Sequence, residues 1–345
     1  TYTCIVTNTS GLSCATTSNA ILLTNIIGPL AGTYTVGTPG CSNFITLASA
    51  VSYLNNNGVS AQVIINVADG YTETVPFGGI TLGSATLNPT LTFVNTLTIR
   101  KAGAGANPLL IAYTGGSGLP GSANPDGIFR LAGTDYVTID GINLNEAGAN
   151  TTAGLAMDFG YGLFKLNNND GAQNNTIIRC VITLTRNNFS AAAPTTWDGS
   201  AGIALVNATT TAASTALIPT AASGSNSFNK IYGNTIQNVN TGIAAGGFTD
   251  IAPYTLADIG NDIGGSSLAT GNSILNFGGG TSADRQSSAV RLTNQYTINV
   301  SYNTINNNNG LGVNHVRDLR GIWGFVGIDA SVTFTNNTIA LKSST

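Results

Sequence analysis

The densest run of chemistry-bearing side chains is His315, Arg317, Asp318 and Arg320, with Trp323 just beyond. A histidine, two guanidiniums and a carboxylate on one loop suit the carboxylate of an acidic sugar. An indole offers that sugar a flat apolar face. The same residues also make an ordinary exposed Arg–Asp pair, which fixes a loop and contributes little to stability. A second place is Asp258 and Asp262, with Asp250 nearby, in a glycine-rich stretch. Oxygen-rich loops of this kind hold calcium, although Asp beside Gly is also common turn chemistry. No other cofactor is implied.

Other chemistries find less support. As a nucleophile, Cys180 would need a base beside it, and the one histidine, His315, lies far along the chain. Glycoside hydrolysis needs two carboxylates facing one groove. The chain has thirteen Asp and two Glu, mostly isolated and never as an Asp-Asp pair. Twelve Lys and Arg are spread along a chain of formal charge −3, which lacks the concentrated basic footprint of a nucleic-acid binder. No apolar run is long enough for a membrane span. With 42% hydrophobic and 8% charged residues, the polarity comes from Asn, Ser and Thr, the residues of turns rather than of disorder.

The elements that must position these residues carry a repeated phrase: apolar, two spacers, a turn residue, one spacer, apolar. It occurs at Ile139–Leu144, Ile177–Ile182, Ile231–Ile236, Val300–Ile305 and Phe334–Ile339. Ile142, Cys180, Asn234, Asn303 and Asn337 hold its turn place. A strand–turn–strand unit at irregular intervals marks a parallel β-helix, whose equivalent residues stack about 4.8 Å apart. Asn234, Asn303 and Asn337 are then a structural ladder, with left-handed backbone and shared amide hydrogen bonds. Cys180 in the same column is a buried, reduced thiol. Short apolar strands precede each copy, and Ala257–Phe277 supplies an extra coil. The stretches Ala191–Asp198 and Ala208–Ser225 are insertion loops.

One clear helix, over about residues 43–56 by its apolar spacing, carries Phe44, Leu47, Val51 and Leu54 on one face. Ser42 or Asn43 caps its start and Gly58 its end. It covers the open end of the solenoid. Residues 1–27 read instead as a β-hairpin, the terminal strands of an immunoglobulin-like domain, with Tyr2 before Cys4 like a tyrosine corner. Cys4 pairs either with Cys14 across the turn or with a cysteine in strands upstream. The β-helix then covers 28–345 and continues beyond the end of the chain.

The runs Gly32–Gly37, Ile64–Val75, Leu97–Ile111 and Tyr136–Leu144, with the helix between them, resemble the right-handed, pectate-lyase-like parallel β-helix modules of large secreted Bacteroidota surface proteins. The resemblance implies an all-β fold, export by the type IX pathway and a place at the cell surface. It also implies a non-enzymatic structural or adhesin role. Partners would be other domains of the same protein, neighbouring subunits or surface glycans. The same fold also carries polysaccharide lyases and hydrolases acting on acidic glycans, which is the alternative. The Gly-His-Gly and Arg-Ile-Lys motifs of polygalacturonases do not occur in the sequence.

Overall fold

A computed structural model describes residues 26–37, 42–116, 118, 122–186, 188, 199–279, 286–308, 313, 315 and 317–343. Residues 1–25, and with them the expected hairpin, Cys4 and Cys14, lie outside the described residues. The remainder is a right-handed parallel β-helix. Among the described residues three all-parallel sheets of nine, eight and seven strands run along its axis. Each coil passes from the first sheet to the second through a tight corner, then to the third, then back. The coil at Lys230–Tyr232, Thr235–Gln237 and Thr241–Gly246 is representative.

The alternation of each strand sends one column of side chains inward. In the first sheet Ile65, Ile99, Ile139, Ile177, Ile231, Ile263, Val300 and Phe334 stand in register. In the second, Leu110, Leu144, Ile182, Ile236, Ile274, Ile305 and Ile339 do the same. Most rungs are fully buried, and burying a side chain of this size stabilises by about 1.5–3 kcal/mol. The expected extra coil is present, as Asp258–Ile263 and Ser273–Leu275.

The second-sheet column begins at Glu73, opposite Leu110, and that carboxylate explains the start of the helix. Glu73 is buried and accepts hydrogen bonds from the N–H groups of Leu47 and Ala48 at 2.8 and 3.2 Å. A carboxylate there satisfies orphan donors and complements the positive end of the helix dipole. The helix runs Leu47–Asn57, shorter at its start than expected, because Thr46 rather than Ser42 or Asn43 caps it through a capping box with Ser49. Asn43 instead accepts from Thr35 N–H at 2.9 Å. Gly58 ends the helix, and Leu47, Ala50, Val51 and Leu54 face the solenoid interior.

Two polar ladders hold the corners. At the corner between first and second sheets, Asn234, Asn272, Asn303 and Asn337 each present Oδ1 to the coil below. Asn234 donates N–H and Nδ2 to Asn272 Oδ1, both at 3.0 Å. Asn272 does so to Asn303, and Asn303 to Asn337. Cys180 ends the run, donating its N–H to Asn234 Oδ1 at 3.0 Å, and burial pushes its thiol up to about 12. The left-handed backbone falls one residue earlier than expected, on Gly141, Arg179, Gly233, Tyr302 and Asn336. The Asn side chain must point inward to reach the next rung, and the preceding residue makes the turn that aims it.

The second ladder, at the return corner, is formed by Asn175, Asn229, Asn261 and Gln295. Here too the residues ahead of the rungs, Asn174, Phe228, Gly260 and Asn294, have positive φ.

The outer face of the third sheet carries its own apolar cluster of Phe159, Phe164, Ala201, Ala204, Val206, Ala208, Ala213 and Ala244. The expected insertion loop at 208–225 folds back over this face. Ala213 N–H donates to Ala123 O at 2.8 Å and Thr220 N–H to Asn168 O at 3.0 Å. Its small residues let it lie close against the sheet.

Candidate ligand-binding site

The sequence-predicted loop comes together in part. Arg320 Nη2 lies 2.6 Å from Asp318 Oδ2, and Nη1 donates to Gln286 Oε1 at 2.7 Å. The Arg320 guanidinium sits 4.4 Å from the centre of the Trp323 ring, and Arg291 from the adjacent strand sits 4.7 Å from it. The indole expected to stack on a sugar is therefore already faced by two cations. His315 is tied elsewhere: its Nδ1 accepts from Gly279 N–H at 3.0 Å, and its own N–H donates to Ser343 Oγ at 3.1 Å. Arg317 is exposed.

Asp258 and Asp262 point to opposite sides of the wall. Asp258 is fully buried, with Oδ1 4.0 Å from Lys165 Nζ. Asp262 faces outward and accepts from Tyr232 Oη at 2.5 Å, Gly265 N–H at 3.0 Å and Asn299 Nδ2 at 2.7 Å. Among the described residues no group of three His, Cys, Asp or Glu side chains is placed to hold a metal ion.

Another convergence of charge among the described residues lies on the outer side of the first corner. A cleft of about 480 Å³ is lined there by Arg100, Lys101, Asn107, Asp140 and Arg179, with the backbone of Ala102, Gly103 and Gly141. The stacking of coils builds it. Arg100 is in register with Asp140, and Asp140 with Ile178, just before Arg179. Arg100 and Asp140 each follow an inward isoleucine of the first-sheet column and so point outward, while Arg179 stands one residue further on, at the left-handed turn of the corner.

The cleft is tightly braced. Arg179 grips Asp140 with a bidentate pair: Nε donates to Oδ1 at 2.8 Å, and Nη2 donates to Oδ2. The pair raises the Arg179 pKa above its ordinary value, first through these hydrogen bonds and then through the charge of Asp140. The Arg179 side chain stays 67% exposed, leaving room for a further anion. Arg100 Nε donates to Asn66 Oδ1 at 2.9 Å, and Lys101 Nζ to Gly105 O at 2.9 Å. The rim loop is pinned because Asp69 accepts from the N–H groups of Gly103 and Gly105 at 2.8 and 2.7 Å. A Cβ at Gly103 would stand 2.5 Å from Asp69 Oδ2, so the close approach requires glycine there.

Three cations against the carboxylates of Asp140 and, at the rim, Asp69 leave the cleft with an excess of positive charge. Arg100 and Arg179 stand two coils apart, roughly 10 Å along the axis, which fits a ligand with more than one negative group. The cleft is not legible as a sequence motif, because the Arg100–Lys101 pair, Asp140 and Arg179 lie about forty residues apart from one another. Register between coils, rather than a fixed repeat position, brings them together.

Comparison with known proteins adds little. No protein-family model matches the chain, and no curated protein is similar to it. Among solved structures the chain is similar to an alginate lyase from Paenibacillus sp. strain FPU-7, at 16% identity and a TM-score of 0.42, over 90% of this chain and 96% of that one. A likeness at this level transfers neither activity nor residues. Among the described residues no helix is long and apolar enough to cross a membrane.

Proposed function

We propose that the chain is a non-enzymatic extracellular module, a rigid β-helical stalk that binds an acidic glycan in the Arg100–Lys101–Arg179 cleft. The observation that supports it is the gathering of Arg100, Lys101 and Arg179 across successive coils, outnumbering the carboxylates of Asp140 and Asp69. Two guanidiniums on one rigid wall offer fork-shaped donors to carboxylates or sulfates carried by a polysaccharide. The straight stack of coils sets their spacing in advance, so binding orders little of the protein. Other domains of a larger surface protein, or neighbouring subunits, are the further partners of such a stalk.

Titration calorimetry with polygalacturonate, and with a neutral glucan as control, tests this reading. Polygalacturonate binds and the glucan does not; affinity falls steeply as salt is raised. Loss of one guanidinium in Arg179→Ala weakens binding about tenfold. Equal affinity for the neutral glucan would exclude the cleft as an anion site.

The same cleft gives the alternative, a polysaccharide lyase, its one specific support. Guanidiniums that neutralise a uronate carboxylate acidify the adjacent C–H, and Lys101 contributes an amine as candidate base. Incubation with polygalacturonate, with and without calcium, separates the two readings. Ultraviolet absorbance from unsaturated uronate, abolished by Lys101→Ala, would establish the enzyme.

A further inference from the structure

Among the described residues Lys165 is one of the largest fully buried side chains, and its one titratable neighbour at ion-pair distance is Asp258, itself without exposure. Lys165 ends the third-sheet strand Phe159–Lys165 and Asp258 begins the first-sheet strand Asp258–Ile263. Their contact is loose for an ion pair: Nζ donates to Gly224 O, while Asp258 Oδ1 stays 4.0 Å away. A buried pair held this poorly returns little of what desolvating both ions costs.

The surroundings of Asp258 are arranged asymmetrically. Oδ1 accepts from Asn226 N–H at 3.1 Å. Oδ2 makes no hydrogen bond of normal geometry, and neither does Gln295 Nε2 beside it. Asn261 Nδ2 holds Gln295 Oε1 at 2.8 Å, which turns the Nε2 end toward Asp258. A Cβ on Gly247 would stand 3.0 Å from that Nε2 and 3.1 Å from Asp258 Cβ, so glycine lets the groups close up.

We propose that Lys165 and Asp258 condense into an intramolecular amide that covalently ties the third sheet to the first. One proton passes from the ammonium to the carboxylate, giving a neutral amine and a neutral acid. The amine lone pair forms the Nζ–Cγ bond, with the developing charge on Oδ1 held by Asn226 N–H. A second proton moves from Nζ to Oδ2, the Cγ–Oδ2 bond breaks, and one water leaves. The remaining Nζ–H keeps its hydrogen bond to Gly224 O. No oxidant or other reactant is needed. Burial favours the neutral pair, lowering the lysine pKa and raising that of the aspartate to about 6. Two groups held 4.0 Å apart in a rigid interior also avoid most of the entropy that opposes amide formation in solution.

Intact-mass spectrometry of the folded, reduced chain decides the matter. The mass comes out one water below that of the sequence, and digestion yields a branched peptide joining the segments of Lys165 and Asp258. Lys165→Met shows the full sequence mass and a lower unfolding midpoint. If that variant fails to fold, the wild-type digest still settles the question. A wild-type mass equal to that of the sequence after prolonged incubation of the folded protein, or a water loss mapped elsewhere, overturns the proposal.

Discussion

Arg130 and Arg179 both sit on the wall of the β-helix beside an aspartate, and their surroundings differ in every other respect. Arg130 is 7% exposed, donates to Gly78 O and to Pro125 O, and lies 5.2 Å from the centre of the Phe159 ring. Around it Tyr113 Oη donates to Asp126 Oδ1, Asp126 N–H donates to Asp158 Oδ2 at 2.8 Å, and Asn188 Nδ2 donates to Asp158 Oδ1 at 2.8 Å. These groups are buried beneath the loops on the outer face of the third sheet and are largely spent on one another. Arg179 meets Asp140 at the surface and keeps most of its side chain in solvent. Clustering of titratable groups therefore does not mark a site in this fold. The cluster under the third-sheet loops braces them, while the sparser one at the first corner is open to a ligand.

The sharpest way to break the interior half of that comparison is to cut a ladder. Asn272→Ala removes a rung that accepts from Asn234 and donates to both Asn303 Oδ1 and Ile231 O. Several buried groups lose their partners at once, each worth about 1–3 kcal/mol. A loss of about 3 kcal/mol in urea unfolding is expected. A loss below about 1 kcal/mol, the net worth of a single ordinary hydrogen bond, would show that the ladder is ornamental.

The buried carboxyls make a second, somewhat smaller prediction through pH. Burial pushes Asp158 from 3.8 to about 8 and Asp135 from 3.8 to about 7, and it also raises Glu146. A raised carboxyl binds its proton more tightly folded than unfolded. Its stability is therefore full below 3.8 and is lost as pH rises toward the folded value. The chain should unfold at lower urea at pH 8 than at pH 5. A difference of roughly 2 kcal/mol follows from about 1.4 kcal/mol per pKa unit after generous discount. A midpoint rising over the same window would contradict the burial of these groups.

Asn337→Ala sharpens the ladder further. Asn337 is the last rung among the described residues; it accepts from Asn303 and donates to Val300 O, and no further rung accepts from it there. The neighbouring column residues Phe334 and Ile339 are 44% and 46% exposed, so water replaces the lost partners. Denaturant titration should give a cost of about 1 kcal/mol, well under that of Asn272→Ala.

These contrasts also show which parts of the architecture are legible in a bare sequence. The inward columns and the rungs at Asn234, Asn303 and Asn337 are visible because apolar residue, turn and Asn recur at fixed offsets. Asn272 belongs to the same ladder, yet the excursion Gly264–Gly271 separates it from Ile263 and destroys the offset. The strand Thr241–Gly246 is missed because its Gly and Ala residues lack the bulk that signals a strand. Asn175, Asn229 and Asn261 vanish into a chain already rich in Asn. The basic cleft depends on register between coils, which brings Arg100, Asp140 and Arg179 together across intervals with no fixed length. Local periodicity writes the wall, whereas the site is written in the stacking.

Arg179→Ala attacks the open half of the comparison and should barely touch stability. Its pair with Asp140 is bidentate but exposed on the arginine side, and exposed pairs contribute about 0–1 kcal/mol. Arg179 also occupies a left-handed backbone position at the turn, with φ of 57°. Alanine tolerates that conformation no better than arginine, so the backbone term nearly cancels. The unfolding midpoint should move by under about 0.5 kcal/mol, as for most surface substitutions. Binding of polygalacturonate should fall about tenfold and lose part of its salt dependence. If the midpoint drops as far as in Asn272→Ala, then Arg179 is part of the wall after all. The cleft would then be a brace like that around Arg130, and the distinction between the two regions would fail.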